Sequence, residues 1–415
     1  MKPVSPFGLP IGISITFWSI VGLIRWITTS FFQKPNKFNP KENVMKASDV
    51  AVVLPAYNEE LVIRGSIKAL KKLVDKKQIY VVSDGWNDRT YEIATEEGCN
   101  TYLLDPNKGK AKAMVHLISY YKLFEKYKLI FIVDADTKID KNFLKKALPL
   151  FDDPDISVVF ATDRIKWPQH FVPKLKYYFI AYRERLNRLL QYLLIYGQTW
   201  KYTNVNYVIP GFAAMYRSDV LRKLDIDTPG LLIEDFNLAF QFHKKKLGKI
   251  GYSPSMIGWD QHPDNLVDYW KQVKRWNVGF FQTVRKNGFW PSFFWLAMGV
   301  FSLEVLLNAV FIIFLPITLV SLAWPQIFTP FYLNNAPFQN LTLGYVFAFI
   351  LLFDYAITVV IGLINKKPQF IFYGLFFFPM HYITSLILVS SIIPGFFGSS
   401  SGQWVPPTRR VEKFA

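Results

Sequence analysis

Acidic and amide side chains fall at the ends of three apolar runs in this chain. Ala51–Leu54 leads into Pro55-Ala56-Tyr57-Asn58-Glu59-Glu60. Ile79–Ser83 leads into Asp84-Gly85-Trp86-Asn87-Asp88, and Leu129–Asp134 ends in Asp134-Ala135-Asp136. Short apolar runs bounded by turn residues read as buried strands. Alternate residues of a strand share a face, so Asp134 and Asp136 point the same way. Clustered carboxylates repel one another unless a cation joins them. A hard divalent ion with oxygen ligands, Mg²⁺ or Mn²⁺, resolves the repulsion and also binds substrate phosphates. One Asp-x-Asp says little by itself; the coincidence of three strand ends carries the inference.

Three more groups add chemistry. Asn107-Lys108-Gly109-Lys110-Ala111-Lys112 precedes a helical pattern. A glycine and cations at a helix start suit a phosphate, or else form a solvated basic turn. Ile209-Pro210-Gly211-Phe212 is followed by Leu232-Ile233-Glu234-Asp235. A carboxylate pair opening a helix either complements the helix N-terminus or supplies a general base. Gln272, Arg275 and Trp276 share one helical face by their i, i+3, i+4 spacing. Arginine can hold a leaving diphosphate. Tryptophan can stack on a sugar ring or anchor a helix at a membrane surface.

These groups need a scaffold. The three runs and Ser157–Thr162 read as strands, and stretches near 60–73, 88–97 and 109–125 as helices. The alternation predicts an α/β domain with a mainly parallel sheet, with ligands outside the carboxyl ends of its strands. The chain has 415 residues, 51% of them hydrophobic and 17% aromatic, which suits one soluble domain plus a membrane part. Apolar stretches run over 9–32, 297–324, 341–364 and 370–397. The first reads as a retained anchor. No Lys or Arg lies between Asn287 and Asn365, whereas Lys366 and Lys367 return the chain to the cytosol. The stretch 370–397 then reads as a re-entrant hairpin hinged at Pro379, or else as one full span with an external tail. Residues 172–198 and 264–286 read as basic, aromatic, amphipathic helices suited to an interface. The net charge of +17 is accounted for by cytosolic loops and these helices, so no nucleic-acid partner is expected. The single Cys99 excludes an intrachain disulfide, and the five scattered histidines give no reason to expect a His-built metal site.

The ordered set PAYNEE, SDGWND, NKGKA, DAD, PGFAAMYR, ED and QVKRW resembles the membrane-integrated family 2 glycosyltransferases, over roughly residues 50–285. That group includes hyaluronan, chitin, poly-N-acetylglucosamine and cellulose synthases. The resemblance implies a cytosolic GT-A (Rossmann-like) α/β catalytic domain embedded in an α-helical transmembrane domain, with inversion at the anomeric carbon. It implies that Ala56, Tyr57, Glu59 and Asp84 hold the nucleotide base and ribose, with Lys108 and Lys110 nearby. Asp134 and Asp136 would bind nucleotide and metal, Asp136 more directly. Asp235 would be the base, with Glu234 beside it. Gln272 and Arg275 would hold the diphosphate, and Gly211 and Trp276 the acceptor. The tail Gln403-Trp404-Val405-Pro406-Pro407-Thr408-Arg409-Arg410 resembles a cytosolic loop that closes over the nucleotide through Trp404 and Arg409. Its Val-Pro-Pro spacing departs from the tighter family form. Ser83 also stands where the family often has a first aspartate, which weakens the case for uracil as the base.

The implied layout is an anchor and linker over 1–46, a catalytic domain over 47–263 with an interface helix at 172–198, and interface helices over 264–296. Transmembrane helices over 297–397 and a cytosolic tail over 398–415 complete it. The expected activity uses a UDP-sugar to elongate and translocate a β-linked polysaccharide at the plasma (cell inner) membrane. Glu304, Asn308 and Asp354 would line a sugar path or bond helix to helix. The competing readings are a single transfer to a membrane lipid, and a non-catalytic membrane component of the same fold. The sequence names no export partner.

Overall fold

A computed structural model describes residues 45–165, 167, 174–189, 204–323, 343–400 and 402. The first apolar stretch and the tail residues Trp404 and Arg409 lie outside them.

The catalytic half is built on strands β1 (Val50–Ala56), β2 (Ile79–Asp84), β3 (Asn100–Leu104), β4 (Leu129–Val133), β5 (Lys138–Ile139), β6 (Ile156–Arg164), β7 (Ala213–Arg217) and β8 (Lys249–Trp259). Their order in one sheet is β3-β2-β1-β4-β7-β6-β8-β5. Strands β1 to β4 run parallel, and β1 and β4 are buried apolar runs of the kind covered on both faces. The expectation of a mainly parallel sheet holds for β1 to β4 and for the pair β6–β8. Strand β7 lies antiparallel to β4 and β6, so the sheet is mixed. The reason is local: β7 begins directly after the Pro210-Gly211 loop and enters the sheet from the end where β4 finishes.

Helices α1 (Ile63–Leu70), α2 (Thr90–Glu96) and α3 (Lys110–Tyr120) fall within the stretches expected from periodicity. Helix α4 (Leu175–Leu189) and helix α6 (Leu266–Asn287) are the two amphipathic ones, and α5 (Glu234–Lys244) opens with the carboxylate pair. Apolar helices α7 (Phe293–Ala323), α8 (Leu343–Ile364), α9 (Pro368–Gly374) and α10 (Phe378–Phe397) follow. Phe293–Phe314 and Phe378–Phe397 are long and apolar enough to cross a membrane. Within 370–397 the bend falls between Gly374 and Phe378, and Pro379 sits in the first turn of α10. Proline is tolerated there because its missing N–H has no helical partner anyway.

A polar network fastens the amphipathic helices to the apolar ones. Arg185 of α4 pairs with Asp354 of α8, which also accepts from His381 Nε2 of α10 at 3.1 Å. Tyr182 bonds His381 Nδ1 at 2.9 Å, and Tyr269 of α6 bonds Thr384 at 2.8 Å. Asp354 is therefore engaged in helix-to-helix bonding. Tyr373 of α9 donates to the carbonyl of Lys174 at 2.8 Å. The chain then returns from α10 to the catalytic half, where Ser400 bridges to Gly230.

Candidate active site

The carboxyl ends of β1, β2 and β4 lie on one edge, beside a cleft of about 840 Å³. At the β2 end, Asp84 is buried and both its oxygens are taken. Oδ1 accepts from the amide of Lys108 and Oδ2 from that of Gly109, each at 2.8 Å. Burial raises the Asp84 pKa and these two amides oppose the rise. Asp84 thus fixes the Asn107–Lys110 loop. Gly109 has φ +92°, a left-handed conformation that lets α3 start where Lys110 faces the cleft. At the β1 end, Glu59 is buried and its amide donates to Thr90 Oγ1 at 2.8 Å. Tyr57 packs against Gly85, where a Cβ would come within 3.0 Å of the ring.

Lys110 is the hub. Its Nζ lies 2.8 Å from Asp134 Oδ1 and 2.9 Å from Glu234 Oε1. Burial disfavours its charge, but Asp134, Glu234 and Asp235 more than offset this and keep it an ammonium. Burial likewise opposes ionisation of Glu234, yet the ion pair with Lys110 prevails and holds its pKa below the ordinary value.

Asp235 is arranged differently. Its Oδ2 accepts from the amide of Gly211 at 3.0 Å, while the buried Oδ1 has no hydrogen-bond partner. Burial first, and the neighbouring Glu234 second, push its pKa up to about 7. A carboxylate with one oxygen anchored, one lone pair unused and a pKa near neutrality is equipped to accept a proton. The amide of Asp134 donates to the carbonyl of Phe212 at 2.9 Å, so the Gly211 loop is tied to the Asp-x-Asp strand as well.

Gln272, Arg275 and Trp276 of α6 line the same cleft, as do Lys108, Asp136 and Gly211. Gln272 Oε1 is buried without a hydrogen-bond partner. The Trp276 ring carries the Arg183 guanidinium at 4.4 Å from its centroid. Ala56, Tyr57, Glu59 and Asp84 do not line this cleft but sit beside it on the β1 and β2 ends. Lys110 bridges Asp134 and Glu234, and the oxygen donors of Asp134 and Asp136 beside them are of the type that a hard divalent cation such as Mg²⁺ or Mn²⁺ takes.

Sequence reasoning passed over Asp163, Arg183, Asn187, Asp260 and His262, all of which line the cleft. Asp163 was within reach of the strand-end argument, because it lies one residue past Thr162 and next to Arg164, the last residue of β6. His262 carried no signal, since its partners are about a hundred residues distant along the chain.

Residues 51–224 match the sequence model of the family described as Glycosyl transferase family 2. The chain is 27% identical over 297 residues to the "Probable glycosyltransferase YdaM" of Bacillus subtilis, across 66% of this chain and 68% of that protein. It is 24% identical over 294 residues to the poly-beta-1,6-N-acetyl-D-glucosamine synthase of Staphylococcus aureus, across 68% of each. Among solved structures, the mannosyltransferase PcManGT from Pyrobaculum calidifontis, in complex with GDP-Man and Mn²⁺, superposes with a TM-score of 0.54. That match covers 93% of this chain and 98% of PcManGT at 14% identity, and it speaks to the fold. The mixed sheet and cleft are those of a GT-A fold. Residues 51–224 thus carry the sequence pattern of glycosyltransferase family 2, and the relatives that the chain resembles over about two thirds of its length are glycosyltransferases.

Proposed function

We propose that this chain is an inverting, metal-dependent glycosyltransferase that uses a UDP-sugar to elongate a β-linked polysaccharide and pass it across the membrane holding it. The observation that carries the reading is Asp235, with Oδ2 fixed by the Gly211 amide, Oδ1 without a partner, and a pKa of about 7.

Asp235 Oδ1 takes the proton of an acceptor hydroxyl while that oxygen bonds to the donor's anomeric carbon. The bond from that carbon to the diphosphate oxygen breaks, and the nucleoside diphosphate leaves with the electron pair. Gly211 holds the base in place. Lys110 and Glu234 keep the carboxylate cluster ordered around it. Lys108, Gln272 and Arg275 receive the diphosphate, and stabilising its departing charge is the largest expected term. Asp136 with Asp134 would hold Mg²⁺ or Mn²⁺, which would supply further charge neutralisation there. Trp276, with the Arg183 guanidinium stacked on its ring, receives the acceptor. Ser400, bridged to Gly230, lines the cleft, and Trp404 and Arg409 are assigned to the nucleotide by the resemblance of their motif alone.

Elongation and export are supported by the likeness to the staphylococcal synthase and by the apolar helices packed behind α4 and α6. The catalytic half faces the cytosol in this reading, at the plasma (cell inner) membrane. The test is Asp235→Asn, which keeps shape and removes the base. Turnover should fall by about 10²- to 10⁴-fold with nucleoside-diphosphate affinity unchanged. Near-normal turnover of the variant would refute the assignment.

A further inference from the structure

A second group of ligand-type side chains lines the cleft. Asp163, Asp260 and His262 each offer one ligand atom, and these atoms all lie within 4.8 Å of one another. Sheet register brings them together. In the parallel pair β6–β8, Asp163 faces Gly258 and Arg164 faces Trp259, and the Asp260 amide then donates to the carbonyl of Arg164 at 3.2 Å. His262 follows two residues on. Its Nε2 bonds Asp163 Oδ2 at 2.8 Å, its side chain is 4% exposed, and its Nδ1 is buried with no hydrogen-bond partner.

We infer that Asp163, Asp260 and His262 form a divalent-cation site distinct from the Asp134–Asp136 pair, selective for a transition ion such as Mn²⁺ over Mg²⁺. The donor set argues for the selectivity. The Asp134–Asp136 group offers oxygen alone, which suits Mg²⁺, whereas an imidazole among carboxylates favours borderline ions. The spacing argues for a cation. Ligand atoms about 2.0–2.2 Å from a shared ion sit roughly 3–3.5 Å apart, so the group needs only a modest contraction. The surroundings give the site a purpose. Asn187 Nδ2 of α4 also donates to Asp163 Oδ2, and Asn187 Oδ1 accepts from Arg183 at 2.5 Å. Arg183 covers Trp276. A cation here ties the end of β6, the segment after β8 and helix α4 into one unit, and so positions Arg183 over the acceptor tryptophan. The purpose given to the site rests on the acceptor role proposed for Trp276, whereas the binding of the cation does not.

The experiment is Mn²⁺ binding to the full chain in nanodiscs, followed by electron paramagnetic resonance without nucleotide and with Mg²⁺ in large excess. Wild-type protein should retain one Mn²⁺ per chain, and so should Asp136→Asn. His262→Gln, whose amide can keep the bond to Asp163, and Asp260→Asn should each lose it while binding nucleoside diphosphate as wild type does. Failure of wild-type protein to retain Mn²⁺ would overturn the site. So would retention unchanged in both His262→Gln and Asp260→Asn, or loss in Asp136→Asn, which would assign the ion to the oxygen-only pair.

Discussion

Replacing Gly211 by alanine tests whether the placement of Asp235 sets the rate. A Cβ at Gly211 would lie 2.2 Å from Asp235 Oδ1 and 3.0 Å from Lys110 Nζ. An uncrowded carbon–oxygen contact is about 3.3–3.6 Å. The carboxylate must therefore retreat by about 1 Å, and the oxygen that moves is the one assigned to the acceptor proton. Misplacing a reacting group by that distance costs on the order of 10²-fold in rate, or about 2.7 kcal/mol of barrier. The donor side is largely spared, because the severe clash falls on Asp235 and the contact with Lys110 Nζ is the milder one. The assay is steady-state release of nucleoside diphosphate, with donor affinity measured separately by titration and fold by thermal melting. The expected result is kcat lower by about 10²-fold, donor affinity within a few-fold of wild type and an unchanged melting temperature. Gly211→Ala protein that turns over at the wild-type rate would refute the reasoning, since the oxygen could then move freely without consequence.

Two further outcomes follow from the same geometry. The pH profile of kcat/KM should have an acid limb near the Asp235 pKa of about 7, because the base works only when ionised and protonates as pH falls. Glu234 contributes to that raised value, so Glu234→Gln should move the limb to lower pH; a limb at the ordinary carboxylate value in wild-type enzyme would contradict the assignment. Asp354→Ala strands Arg185, whose side chain is only 4% exposed, and should destabilise the protein by about 2 kcal/mol, read as a lower denaturation midpoint in detergent. That figure is set below the value for a fully buried pair because Asp354 is 30% exposed.

Much of the catalytic half was legible because its signals are local. The buried strands β1, β2 and β4 are unbroken apolar runs, and the residues that end them are the polar ones that chemistry needs. The pairing of Lys110 with Asp134 and Glu234 was not legible. It joins three elements through a left-handed glycine and an amide clamp on Asp84, none of which has a sequence period. Asp84 resembles a nucleotide ligand by motif, yet its oxygens in this structure hold the loop that aims Lys110. The mixed half of the sheet escaped for a similar reason. Strand β7 lies inside a motif that reads as a loop, and β8 carries Ser253, Pro254 and Ser255 in its middle. Scattered histidines gave no hint of a shared site, because His262 meets Asp163 only through the register of β6 with β8. In the apolar part, length and composition placed the helices, but the partner of Asp354 comes from an amphipathic helix 169 residues earlier.

The central claim is tested most directly by a donor screen on the full chain in nanodiscs. UDP-glucose, UDP-N-acetylglucosamine, UDP-glucuronate and a GDP-sugar would each be offered with Mn²⁺ or Mg²⁺, with nucleoside-diphosphate release followed and the products sized. The account predicts release from a UDP-sugar that stops on chelation of the metal, with a high-molecular-weight product. A short, lipid-soluble product would contradict elongation and support a single transfer to a membrane lipid, and no release from any donor would contradict catalysis itself.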